Sequence, residues 1–126
     1  MNLARARISW IALHITTRSA WETARSSGRY EPPSLAVDGF IHFSDVEQVV
    51  AVADAAFSGA RDLVLLCVSV DRLAAPLKDE RGDAGGEPFP HLHGALNLDA
   101  VVGVVPFVEE DDGFAIPPGV RSLRRS

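Results

Sequence analysis

Between Ile8 and Ile15 apolar side chains fill nearly every position, β-branched and aromatic residues among them, which predicts a strand. In extended geometry Ile8, Trp10, Ala12 and His14 share one face, and Ile11, Leu13 and Ile15 the other. Both faces are mostly apolar, so the strand belongs at or near the middle of a sheet. His14, at its end, is the first polar side chain on its face. A short helix is expected next. Ser19 and Glu22 have capping-box spacing, Trp21 and Ala24 share an apolar side, and Gly28 suits the position just past the C-terminus. The prolines in Tyr30-Glu31-Pro32-Pro33-Ser34 predict an irregular connection.

Gly39 to Phe43 is a second, short strand. Ser44 and Glu47 then offer another capping box, followed by Val46, Val49, Val50, Ala53 and Phe57 at helical spacing and a stop at Gly59. Leu63 to Val70 is apolar on both faces and predicts a buried central strand. One helical turn is expected between Asp71 and Ala75. Lys78 to Pro90 is charged and aperiodic and reads as a long surface loop of the kind that forms lids or binding loops. Val101 to Val108 is another strand, and Asp112-Gly113 is a hairpin turn leading to a last short strand near Phe114. These elements make a single domain, residues 1–126, with its core over about 8–117 and a frayed basic tail at 118–126.

Composition narrows the function. A chain of 126 residues supports one core, and its apolar content argues for a folded domain. A net charge of −5 argues against sequence-independent nucleic-acid binding. The single cysteine, Cys67, lies within an apolar run and reads as inert packing. No stretch reaches membrane-spanning length and the N-terminal residues lack a secretory pattern, so a cytoplasmic location is expected.

The chemistry then concentrates on four histidines: His14, His42 in Phe40-Ile41-His42-Phe43-Ser44, and His91 and His93 in Phe89-Pro90-His91-Leu92-His93-Gly94. Each sits in apolar or turn sequence, where a group that donates, accepts and changes charge near neutral pH has functional use. Ser44 lies two residues beyond His42; an N-cap role accounts for it, and a site there would lie at a helix N-terminus that favours anions. His91 and His93, at i and i+2, would share one strand face, a spacing that suits a paired hydrogen-bonding edge or a shared metal, although no carboxylate stands at motif distance on that segment. No tightly bound metal is expected. Asp79 and Glu80, and the run Glu109 to Asp112, read as solvated loop and turn charge.

Taken in order, Leu13-His14-Ile15, Trp21 with Ala24, Gly28-Arg29-Tyr30, Ser34-Leu35, Gly39-Phe40-Ile41-His42-Phe43-Ser44, Leu63-Val64-Leu65-Leu66, Phe89-Pro90-His91-Leu92-His93-Gly94 and Asp112-Gly113-Phe114 resemble the domain-of-unknown-function 952 family over roughly residues 8–117. The resemblance implies an α+β, ADP-ribosyltransferase-like fold, a split mixed β-sheet with flanking helices that cradles NAD, nearest to the tRNA 2′-phosphotransferase branch. It implies that His14 hydrogen-bonds the nicotinamide-side ribose and that His42 fills the second motif position. Tyr30, Ser34 and Ser44 join the ligand-binding set with them. The third position, an acid in many transferases, falls in the Pro90 to Gly94 region, which offers only Leu92 and histidines. Asp38, just before the second histidine, would repel a 2′-phosphate.

The leading reading is a nucleotide-binding enzyme acting on NAD or ADP-ribose by glycosyl transfer or hydrolysis, with His14, His42, His91 and His93 as its catalytic groups. Two alternatives stand beside it: a non-catalytic nucleotide or small-ligand module that has lost the acid, and a histidine-metal hydrolase.

Overall fold

The computed structural model describes residues 9–82 and 85–124. Ile8, with which the first strand was expected to begin, lies outside them, as does the end of the tail. Strand β1 (Ile11–Thr17) starts later than its apolar run and continues to Thr17. It pairs antiparallel with β4 (Leu63–Ser69), and β4 pairs antiparallel with β8 (Val101–Phe107), giving the order β1-β4-β8. All seven residues of β4 are buried, as its continuous apolar run requires. Alternation along β4 divides the interior: Val64, Leu66 and Val68 join one apolar cluster, and Leu63, Leu65 and Cys67 join another across the sheet.

The first cluster is closed by α1 (Arg18–Ser27), through Trp21 and Ala24, and by Tyr30, Ile41, Phe43, Leu92 and Leu96. The N-cap of α1 is Thr17, whose hydroxyl accepts from the Ala20 amide, and not Ser19 as the capping-box spacing suggested. Because β1 runs to Thr17, the helix begins at once and Ser19 falls inside its first turn. Gly28 ends the helix in a left-handed conformation, as expected. The second cluster is closed by α3 (Val46–Ala56), through Val49 and Ala53, with the tilted ring pair Phe107 and Phe114 beside it. Its capping box uses Asp45 and Gln48, one residue beyond the expected Ser44 and Glu47.

Two connections expected to be irregular carry structure. The stretch from Tyr30 holds β2 (Arg29–Tyr30), paired with β7 (Leu96–Asn97), and then α2 (Pro33–Asp38), with proline in its first turn where the missing amide costs nothing. The expected long loop from Lys78 to Pro90 is instead a hairpin, β5 (Leu77–Gly82) and β6 (Gly85–Leu92), whose second strand also pairs with β3 (Ile41–His42) in the order β3-β6-β5. The tail is also more ordered than expected. A short helix, α4 (Pro118–Arg121), buries Val120 in the second cluster, and Leu123 packs there as well. Asp112-Gly113 does form a tight turn, as a single bridge between Glu110 and Gly113, but no strand follows near Phe114. The helical turn after β4 is Val70–Arg72.

The fold is α+β, and its strand pairings among the described residues are antiparallel throughout, in place of the expected mixed sheet. The β1-β4-β8 and β3-β6-β5 sheets meet at one point. Leu13 and Ser44 exchange both backbone hydrogen bonds at 2.8 Å, joining β1 to the residues just after β3. Residues on both sides of that bridge, with parts of α3 and the β5–β6 hairpin, line a cleft.

Candidate functional site

The cleft has a volume of about 670 Å³ and is mostly apolar, with His14, His42, His91 and Glu80 among its walls. Three of the four histidines therefore converge. His42 and His91 are direct cross-strand partners on β3 and β6, which places both side chains on one face. Their rings lie 5.5 Å apart, edge to face. His14 reaches the same place from β1, where the Leu13–Ser44 bridge brings its Nδ1 within 2.6 Å of the His42 carbonyl oxygen.

His14 is buried, and desolvation lowers its pKa from 6.5 to about 4, so its imidazole is neutral at pH 7. A carbonyl only accepts, so Nδ1 carries the hydrogen and Nε2, 2.7 Å from the Tyr30 hydroxyl, accepts from it. Tyr30 Oη also lies 2.9 Å from Thr16 Oγ1. If His14 is protonated, Nε2–H donates to the phenol and the phenol turns to donate to Thr16. Tyr30 is thus buried behind His14 and orients it, in place of the ligand-facing role the resemblance implied. Burial raises the phenol's pKa, opposed by the Thr16 hydrogen bond.

The acid sought between Pro90 and Gly94 stands on the neighbouring strand. Glu80 Oε1 accepts from His91 Nδ1 at 2.9 Å and from His93 Nε2 at 2.7 Å. Its Oε2 has no hydrogen-bond partner among the described residues. Burial pushes the Glu80 carboxyl up, but the hydrogen bonds from His93 and His91 outweigh it and leave the group below its ordinary range. His91 is itself lowered, because burial outweighs the raising pull of Glu80. An imidazole held below 6.5 is neutral at pH 7, so His91 meets the carboxylate through an uncharged N–H. His93 stands behind Glu80 and is not part of the cleft wall.

Phe40 ties the group together. It stacks on His91 with centroids 3.9 Å apart and meets the His42 ring edge-on at 4.8 Å. Asp38, the last residue of α2, places Oδ2 3.1 Å from His42 Nε2, and Gly39 at φ +84° turns the chain from that helix into β3. Ser44 lines the cleft but is not an N-cap. The anion-favouring end of α3 is filled by its own Asp45, which is 1% exposed. Ser34 lies on α2, away from the cleft wall. Cys67 is buried in β4, and desolvation pushes its thiol up to about 12, which suits packing.

Glu80 escapes sequence reasoning because its segment has no periodic pattern. The one signal is its position opposite an i, i+2 histidine pair, which becomes visible only once Lys78 to Pro90 is read as a hairpin. Among the described residues no group of three or more His, Cys, Asp or Glu side chains is arranged to hold a metal ion. His91 and His93 converge instead on a carboxylate oxygen. No helix there is long and apolar enough to cross a membrane.

Among solved structures, the chain is similar to protein CC0527 from Caulobacter crescentus. The crystal structure of that protein is 34% identical with a TM-score of 0.73, over 82% of this chain and 91% of that one. The solution structure is 34% identical with a TM-score of 0.74, over 84% and 91%. No curated protein matches the chain. The family of proteins of unknown function DUF952 matches residues 15–104, and the chain belongs to that family.

Proposed function

We propose that the cleft binds the ribosyl end of a ligand of the NAD or ADP-ribose class and that the protein breaks or exchanges its N-glycosidic bond. The observation that carries this reading is the Glu80 carboxylate, oriented by two imidazoles in the same cleft as His14 and His42. N-glycoside cleavage passes through a ribosyl cation. The bond from C1′ to the base nitrogen breaks, its electron pair leaves with the base, and water or another acceptor attacks C1′ and releases a proton. An anionic oxygen fixed near C1′ stabilises the developing positive charge, and accepting from a ribose hydroxyl adds orientation. A carboxylate held below its ordinary pKa suits that electrostatic role better than general-base work, which favours a pKa near the working pH. His91 and His93 fix its geometry, and the neutral His14 supports the wall formed by β1 and β3. An acid at the site also weighs against the alternative of a module that has lost its chemistry.

The test is thermal unfolding with NAD, ADP-ribose and their nucleoside fragments at millimolar concentration, followed by an assay for released base. A bound ligand raises Tm by mass action. Glu80→Gln is expected to keep the Tm shift with ADP-ribose and to lower base release by at least about 100-fold. If none of these compounds moves Tm, the proposal is wrong.

A further inference from the structure

Hydrogen-bond polarity across the cleft narrows the substrate class within the ribosyl reading proposed for it, and depends on that reading. Among the described residues no lysine or arginine lines the cleft, whereas Glu80 and Glu87 do. Apart from Ser44, the described side-chain polar atoms left for a ligand are moreover acceptors. His42 Nε2 faces the Asp38 carboxylate, which only accepts, so that nitrogen carries the hydrogen, and in the neutral ring Nδ1 keeps a lone pair. His91 Nδ1 faces Glu80 in the same way, which leaves Nε2 as an acceptor. Glu80 contributes Oε2. Both nitrogens of His14 are engaged. Among the described lining side chains, only the Ser44 hydroxyl remains to donate. The helix end beside it, where a phosphate would otherwise be stabilised, is already occupied by Asp45.

A phosphate has acceptors only and carries negative charge, so these walls match it in neither respect. Ribose hydroxyls are donors and a quaternised ring nitrogen is a cation; both match. We infer that the cleft selects a nucleoside with a cationic base, held by its hydroxyls and ring charge, and that phosphates on such a substrate are not recognised within it. Lys78, opposite His91 on β5 and so on the same sheet face, is exposed and outside the cleft wall. It is the chain's sole lysine.

The probes are nicotinamide riboside, its 5′-phosphate, NAD, and the reduced riboside, which has a neutral ring of nearly the same shape. Dissociation constants are measured by calorimetry on the full chain at pH 8. Nicotinamide riboside is expected to bind at least as tightly as its phosphate and NAD, and at least about tenfold more tightly than the reduced form. Lys78→Ala is expected to leave the order unchanged. If the phosphate or NAD binds about tenfold more tightly than the riboside, or if Lys78→Ala weakens only the phosphorylated compounds, the inference falls while the ribosyl reading stands. Equal binding of the cationic and reduced ribosides removes the charge argument. Binding of none of the four overturns both.

Discussion

At the scale of single residues, His14 makes the fold acid-sensitive. Its folded pKa, about 4, lies below the 6.5 of an unfolded chain, so between those values the unfolded state takes up the proton. Stability is complete above pH 6.5 and falls as the pH drops towards 4, by roughly 3 kcal/mol over that window. Urea denaturation at pH 7.5, 5.5 and 4.5 should show the decline, and His14→Gln should flatten its slope. An equal slope in both proteins would locate the acid sensitivity elsewhere. Glu80 has the opposite sense of titration. Its lowered pKa adds stability that is present above the unfolded carboxyl value and lost as the pH falls through the folded one, a window below that of His14. In His93→Ala one of its two donors is gone, so the Glu80 midpoint followed by carbon NMR should rise. An unchanged midpoint would mean that His91 alone holds the carboxylate.

Among the elements, the β5–β6 hairpin depends on ties from outside its own strands. Gln48, buried on α3, donates from Nε2 to Glu87 Oε2 at 3.1 Å and to the Pro88 carbonyl at 2.8 Å, while its Oε1 accepts from the Asp45 amide in the capping box. One side chain thus caps the helix and anchors the strand that carries His91. Gln48→Ala should cost about 1–3 kcal/mol through the unpaired groups it leaves. It should also speed amide exchange along 85–90 more than along β4. Uniform acceleration would mean that the hairpin does not open separately from the core. Gly94, where β6 gives way to the turn before β7, has φ +154°, and an added Cβ would sit 2.7 Å from the Ala75 Cβ. Gly94→Ala is therefore expected to lower the urea midpoint, whereas at Gly82, where nothing lies within 4 Å, alanine should be tolerated far better.

For the whole molecule, β4 is the common wall of two apolar clusters, so neighbouring substitutions on it test different halves. Leu65→Ala and Leu66→Ala should each cost about 2–5 kcal/mol, because each leucine is fully buried, on opposite faces. If the double variant loses much less than the sum, the two clusters are coupled through the sheet. Where apolar pattern is decisive, the amino-acid sequence is legible by itself: the continuous run that begins at Leu63, the apolar run that carries His14 near its end, and the helical spacing from Val46 to Phe57. Burial of those side chains is enforced by water wherever the chain goes, so local sequence determined these elements. Cap positions slipped by one or two residues because strand pairing, which decides where a helix can begin, is non-local. The β5–β6 hairpin was invisible because it is stabilised by pairing with β3 and by Gln48, neither of which leaves a period in its own sequence. Only the tertiary structure could seat Glu80 between His91 and His93, remove Tyr30 and Ser34 from the cleft wall and fix which imidazole nitrogens remain acceptors. Those outcomes depend on which strands lie side by side, and register is set by the whole core acting at once.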